Sequence, residues 1–315
     1  MGKHPSKILL LDMDSEVTRT LCRRLLQKGF QVVSVGKSEI KLGDLKSFEK
    51  FTFYRLDLSS KDIVRSYMYE VDTVIFFDHS DRILEKINNF YQSIIHLKFK
   101  IPRIFFISTC HVFSWKPNKL WSEEEDLNPD SDLGELLSGA ETMVRNYAEK
   151  LSSPTCIIRI PRFVDPTYVE PNFVRFIRIL KNHEKIDFDI SSNLVVQFIN
   201  MDNLLESLYH LFEMQWDGVE TIHVDSFHQN FIPLLDSLRT ILPSKSSLLK
   251  DNKLIAYIKE LLMVSPLVRK RLDILQKVHT VHFLRQPILD SKKSQRLFNL
   301  KRLKLQNLIT NLPIK

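Results

Sequence analysis

Over its first 165 residues the chain alternates short apolar runs with amphipathic ones. KILLLDM (7–13) is apolar at successive positions, as in a strand buried on both faces. EVTRTLCRRLLQ follows with Val17, Leu21, Leu25 and Leu26 on one helical face, Asp14 or Ser15 ready to cap it, and Gly29 just past its end. QVVSV (31–35), FTFYRLDL (51–58), DTVIFF (72–77) and PRIFFIST (102–109) read as further strands, with helices over 61–69 and 83–97 between them. Strands alternating with helices predict an α/β fold built on a doubly wound, Rossmann-like parallel sheet.

The pattern then loosens. HVFSWKPNKLWSEEEDLNPDSDLG (111–134) is polar and proline-bearing and reads as a long loop. A helix is predicted over 135–151, a strand at CIIRI (156–160), helices over 172–182 and 202–213, and a late strand at GVETIHV (218–224). From Gln229 onward helical spacing dominates, broken by Pro233, Pro243, Pro266 and Pro287, so a smaller, mainly helical C-terminal lobe is expected. No repeat or low-complexity segment is present in the sequence.

Composition adds three points. The chain has seven glycines, where about 22 would be ordinary for its length. Its three cysteines, Cys22, Cys110 and Cys156, are odd in number and far apart, which excludes a disulfide framework and a Cys-x-x-Cys metal site and makes a reducing cytoplasm the expected compartment. Net charge is +7, but 244–315 hold 16 basic and 4 acidic residues while the preceding 243 hold 29 and 34. An acidic body thus carries a basic last quarter.

The order of the segments resembles the extended short-chain dehydrogenase/reductase family, the NAD-dependent sugar epimerases and dehydratases. RLDL matches the family's acidic strand end, DTVIFF its D-x-V-I-H-L-A-A strand, and NNFYQS the start of its N-V-x-G-T helix. FISTCHVFS lines up with I-S-S-x-x-V-Y-G, EEDLNP with E-x-x-P-x-N-P, and CIIRIPRFVDP with I-L-R-P-x-N-V-Y-G-P. VVQFINMDNLLESL and LDSKKSQRLFNL resemble the closing elements. The resemblance implies a dinucleotide-binding domain over 1–166 and 194–226, and a substrate-type lobe over 167–193 and 227–315. It would place Asp57 near the adenine, Asn89 at the family's helix asparagine and Thr109 at the catalytic Ser/Thr. It also makes NAD or NADP the implied cofactor, a nucleotide sugar the implied ligand, and a homodimer paired through two helices a natural assembly.

The departures from the family bear on chemistry. Its Gly-x-x-Gly-x-x-Gly turn lets a pyrophosphate approach backbone at a helix N-terminus. Here that place reads LDMDSEVT, with no glycine and with Asp12, Asp14 and Glu16 instead. At ~5 Å and an effective dielectric near 20, one carboxylate–phosphate pair costs about 3 kcal/mol. Asp14 as helix cap and Glu16 as dipole partner account for two of these acids. The ribose-binding acid is replaced by Gly36, followed by Lys37, which would suit a 2′-phosphate or simply face solvent. The family's Tyr-x-x-x-Lys pair, anchored on Glu141, falls on Leu133 and Leu137 with Gly134 between them. Leucine neither donates a proton nor perturbs a pKa.

The expected function is therefore a non-catalytic relative kept for binding, regulation or assembly, with no cofactor and no metal. An active enzyme would need a displaced site, with Thr109 and Tyr147 as its catalytic residues and Asp57, Lys37 and Asn89 holding the cofactor. Tyr147 and Lys150 form a compressed Tyr-x-x-Lys. A third reading docks the basic segment 244–315 on an anionic membrane surface or in a complex. Nucleic acid is disfavoured because no stacking aromatics accompany the charges. A rival resemblance, to a response-regulator receiver domain, would bring Asp12, Asp14 and Asp57 together around Mg²⁺. His279 and His282 are spaced to share a helix face.

Overall fold

The computed structural model describes residues 7–58, 68, 70–95, 102–116, 118–165, 168–169, 171–181, 185–187, 194–241, 248–249, 278–280 and 286–300. Its first half is a right-handed βα succession: β1 (Lys7–Leu11), α1 (Glu16–Gln27), β2 (Gln31–Gly36), β3 (Phe51–Arg55), β4 (Thr73–Phe76), α2 (Ile83–Ile95) and β5 (Arg103–Thr109). Then come β6 (Leu120–Trp121), α3 (Asp132–Leu151), β7 (Thr155–Ile160), β8 (Arg162–Asp165), β9 (Tyr168–Val169) and α4 (Pro171–Lys181). The chain continues through β10 (Lys185–Asp187), β11 (Val195–Ile199), α5 (Met201–Glu213), β12 (Val219–His223), β13 (Phe227–Asn230) and α6 (Phe231–Ile241). Last are β14 (Leu248–Leu249), β15 (Val278–Thr280), β16 (Ile288–Leu289) and α7 (Lys292–Phe298).

Seven strands form one parallel sheet in the order β3-β2-β1-β4-β5-β7-β12. That is the dinucleotide-binding order and not the 2-1-3-4-5 order of receiver domains. Side chains alternate across the sheet. Ile8 and Leu10 therefore join Leu21, Leu25, Leu204 and Leu208 of α1 and α5 on one face. Leu9 and Leu11 join Ile87, Phe90, Leu137 and Val144 of α2 and α3 on the other. Both faces of β1 are covered, which is why its sequence is an unbroken apolar run.

The smaller region has its own apolar cluster, centred on Phe173, Phe176, Phe198 and Leu234. It was expected to be mainly helical, yet its described residues are mixed. A four-stranded sheet runs β13-β11-β8-β9 and a three-stranded one β14-β10-β15. His279 lies in β15 and not on a helix, which removes the proposed helical pair with His282. The chain end is tied back by Gln197, whose Oε1 accepts from the Leu289 N–H at 3.0 Å while its carbonyl accepts from Gln286 Nε2 at 2.6 Å.

Local signals explain most boundaries. Gly29, at φ +89°, closes α1, where only glycine adopts that angle freely. Ser131 Oγ accepts from the Gly134 N–H at 3.2 Å, so α3 begins at Asp132, three residues before the periodicity suggested. The stretch expected to be loop holds a single 3₁₀ turn at Cys110–Val112 and the short strand β6. The three cysteines are buried and none is in a disulfide. Apart from Met68, the helix predicted over 61–69 lies outside the described residues, as does most of the basic segment 244–315. Among the described residues no helix is long and apolar enough to cross a membrane.

Candidate functional site

A cleft of about 820 Å³ opens at the carboxyl ends of the central strands, where open α/β sheets take their ligands. Its floor is built from three elements. Asp12, directly after β1, holds φ at +65°, a left-handed conformation that asparagine and aspartate tolerate through local hydrogen bonds. Its Oδ1 accepts from the Asp14 N–H at 3.2 Å, so Asp14 does not cap α1. Ser15 is the residue at the cap, and it makes no side-chain capping bond. Asp78, just beyond β4, is braced by the Ser80 N–H at 2.8 Å and the Ser80 hydroxyl at 2.9 Å. From α2, Lys86 Nζ donates to Asp12 Oδ2 and, at 2.6 Å, to Asp78 Oδ2, with a third bond of 3.1 Å to Ser80 Oγ.

Two carboxylates thus share one ammonium, and all three residues are buried. Burial and the neighbouring Asp78 charge push the Asp12 carboxyl above its usual range despite Lys86. Burial also acts upward on Asp78, but Lys86 and the Ser80 donors outweigh it and hold Asp78 low. Burial acts downward on Lys86, and its two carboxylate partners reverse that, so the amine stays charged. Two carboxylates and one ammonium leave the cluster with an acid in excess, and Asp12 is the carboxyl that is pushed up.

The other end of the cleft is formed by Thr109, His79, His111, Leu133 and Arg162. Thr109 Oγ1 accepts from the His111 N–H at 3.3 Å, a strand-end role. Burial pushes the His79 imidazole below its usual range, and its Nε2 lies 3.1 Å from the Ile107 carbonyl. Burial, helped by Arg162 and His79, lowers His111 to about 4. Gly134 is required here by close approach, since a Cβ would meet the His111 carbonyl oxygen at 2.1 Å. Leu133 faces the cleft, and Leu137 is fully buried among the core residues of α2 and α3.

The other residues singled out from the sequence are not gathered in one place. Lys37 borders the cleft but pairs with Asp57 at 3.2 Å, and Arg82 approaches the same carboxylate at 4.0 Å. Asn89 Nδ2 donates to the Leu58 carbonyl at 3.1 Å, tying α2 to the segment after β3. Tyr147 stacks on Tyr91 with ring centroids 4.4 Å apart, donates to Asn88 at 2.7 Å and accepts from Gln92 at 2.9 Å. It belongs to the α2–α3 contact, so the structure does not bring Tyr147 to Thr109. Asp57 likewise stands apart from Asp12, and no cluster of metal-ligating side chains exists among the described residues.

Asp78 and Lys86 went unnoticed in the sequence, yet a signal was present. Ile83, Lys86, Ile87, Phe90, Tyr91 and Ile94 are the buried positions of α2. Lys86 occupies a place in that apolar stripe, where a lysine needs an acidic partner.

No protein-family model and no curated protein sequence matches the chain. Solved structures do match its fold. The UDP-glucuronic acid 4-epimerase of Bacillus cereus, in complex with NAD, is 17% identical, with 97% of each chain covered and a TM-score of 0.68. The dTDP-glucose 4,6-dehydratase of Bacillus anthracis str. Ames, also in complex with NAD, is 10% identical over 97% of this chain and 96% of its own, with a TM-score of 0.70. The dTDP-glucose 4,6-dehydratase of Streptomyces venezuelae, with NAD and TYD bound, is 15% identical over 96% of each chain, with a TM-score of 0.68. The chain therefore has the fold of NAD-dependent epimerases and dehydratases over nearly its whole length.

Proposed function

We propose that the chain is a non-catalytic protein on the epimerase/dehydratase scaffold, which uses its cleft and surfaces for binding, regulation or assembly. Leu133 and Leu137 carry the reading. One faces the cleft and the other fills the core, and the sequence resemblance aligns them with the family's tyrosine and lysine. Hydride and proton transfer require a group that titrates against the substrate. Thr109, already engaged as a hydrogen-bond acceptor for the His111 N–H, supplies no proton acceptor by itself. Tyr147 is held in the α2–α3 contact by Asn88 and Gln92. Its stacking on Tyr91 fixes the ring there, so a displaced site gains no support from its position.

The test is direct turnover. Purified protein is incubated with UDP-glucuronate, UDP-glucose or dTDP-glucose, with and without NAD or NADP, and products are followed by chromatography. No conversion above a heat-treated control is expected. Conversion that disappears in Thr109→Val would overturn the reading.

A further inference from the structure

A dinucleotide on an open α/β sheet lays its pyrophosphate on backbone N–H groups at the first strand–helix turn, and glycines make room for it. In this chain the turn is occupied by its own charges. Asp12 takes the left-handed backbone position that glycine would otherwise hold, and turns its carboxylate toward Lys86. Asp14 and Ser15 border the same space at the start of α1. The residues present do not fit a diphosphate: they offer it carboxylates, and the cation beside them is already engaged.

The connectivity of the cluster suggests what replaced the cofactor. Asp12 belongs to the β1–α1 turn, Asp78 to the end of β4 and Lys86 to α2, so one ammonium ties the three elements that surround the cleft floor. Its hydrogen bonds to Asp78 and Ser80 measure 2.6 and 3.1 Å. Each carboxylate keeps a backbone N–H as a second donor, from Asp14 to Asp12 and from Ser80 to Asp78. A buried charge cluster with all its partners supplied is a built feature, since an unsatisfied one would be expelled or neutralised. In a cofactor-binding relative a bound polyanion would draw the same elements together. Here the contact is internal and permanent.

We propose that Lys86, bridging Asp12 and Asp78, is a resident counter-ion that closes the cleft floor in place of a dinucleotide and bars diphosphate ligands from it. The protein is complete without a cofactor, and any ligand of the cleft binds toward Thr109 without a diphosphate on the β1–α1 turn. This inference does not depend on whether the chain catalyses a reaction. A dinucleotide that binds but is not turned over would sink it and leave the non-catalytic reading intact.

Titration calorimetry with NAD, NADH, NADP, NADPH and ADP on the wild-type chain is the first measurement. No heat of binding is expected at ligand concentrations of order 1 mM, and micromolar affinity for any of the five overturns the proposal. Thermal unfolding of Lys86→Met is the second. Stranding two buried carboxylates should lower Tm by about 6 °C or more, and a shift within about 2 °C would show that the ammonium holds nothing together. If Lys86→Met does not fold, the uncharged triple variant Asp12→Asn/Asp78→Asn/Lys86→Met decides. Recovery of a cooperative transition near the wild-type Tm supports the proposal, and failure to recover overturns it.

Discussion

Two buried ionic clusters flank the central sheet, and they differ in stoichiometry. At the cleft, two carboxylates share the single ammonium of Lys86. On the α3 side, one guanidinium meets one carboxylate: Arg159 Nη2 and Nε donate to Glu141 at 2.9 and 3.1 Å, and Arg145 stands 4.0 Å away. Arg159 also lies 4.9 Å from the Phe113 ring centre and donates to His223 Nε2 at 3.3 Å. The second cluster is charge-matched and sealed between α3, β7 and β12, as a structural fastening would be. The first has an acid in excess and opens on the cavity. Unmatched charge beside a cavity marks a place where a ligand's charge has been replaced or is still awaited.

The largest expected effect comes from breaking the matched cluster. Arg159→Met leaves Glu141, which is fully buried, with only the longer 4.0 Å contact to the half-exposed Arg145. Removing one partner of such a pair costs about 3–5 kcal/mol, or about 10 °C in Tm for a chain of this size. Glu141→Leu/Arg159→Met should regain most of that loss, because two apolar side chains leave no charge uncompensated. Thermal unfolding followed by circular dichroism measures both variants. A loss under about 1 kcal/mol in Arg159→Met would place this cluster with exposed ion pairs and erase the distinction between the two sites.

Acid pH acts with opposite signs on different buried groups. Burial and the Arg159 charge lower His223 to about 3, and burial lowers His111 to about 4, whereas an unfolded histidine titrates near 6.5. Below about pH 6.5 the unfolded chain therefore binds protons that the folded chain refuses. The stability from these two imidazoles is fully present above that pH and is lost as pH falls toward 4, by an amount on the order of 3 kcal/mol for each. Asp12 acts oppositely: its raised carboxyl favours the fold at low pH and loses that contribution as pH rises through its folded value. Urea unfolding between pH 4 and 8 should show the acid-side loss in the wild type. His223→Phe should flatten it, and an unchanged acid limb in that variant would mean that His223 does not titrate with unfolding.

Much of the fold was legible because burial writes itself into sequence periodicity. The run KILLL could only be a strand covered on both faces, and the spacing of Val17, Leu21 and Leu25 could only be one face of a helix. Gly134 has a steric reason to be where it is, because a Cβ there would meet the His111 carbonyl oxygen. The cleft floor was harder to see. Asp12 and Lys86 lie 74 residues apart, and no local rule connects them. Asp14 beside a helix start looked like a cap, when in fact Asp12 takes the Asp14 N–H. The Asp12–Lys86 contact joins two elements and is tertiary information, whereas the Asp12–Asp14 bond is internal to the turn. The traces left in the sequence are a lysine in the apolar stripe of α2 and an arginine inside the apolar strand β7.

A third charged contact sets the lower end of the scale. Lys37 and Asp57 stand at the cleft rim 3.2 Å apart, with 46% and 37% of their side chains exposed. Water solvates both whether or not they meet, so the pair gains little from contact and is weakened by salt. Lys37→Ala should change stability by less than about 1 kcal/mol, against several for Arg159→Met. Asp57 keeps Arg82 nearby, so no charge is stranded. Equilibrium urea unfolding at low and physiological salt reads the difference. A Lys37→Ala loss above about 1 kcal/mol that persists in salt would mean that the rim pair is coupled to the buried floor, since only buried charges escape screening.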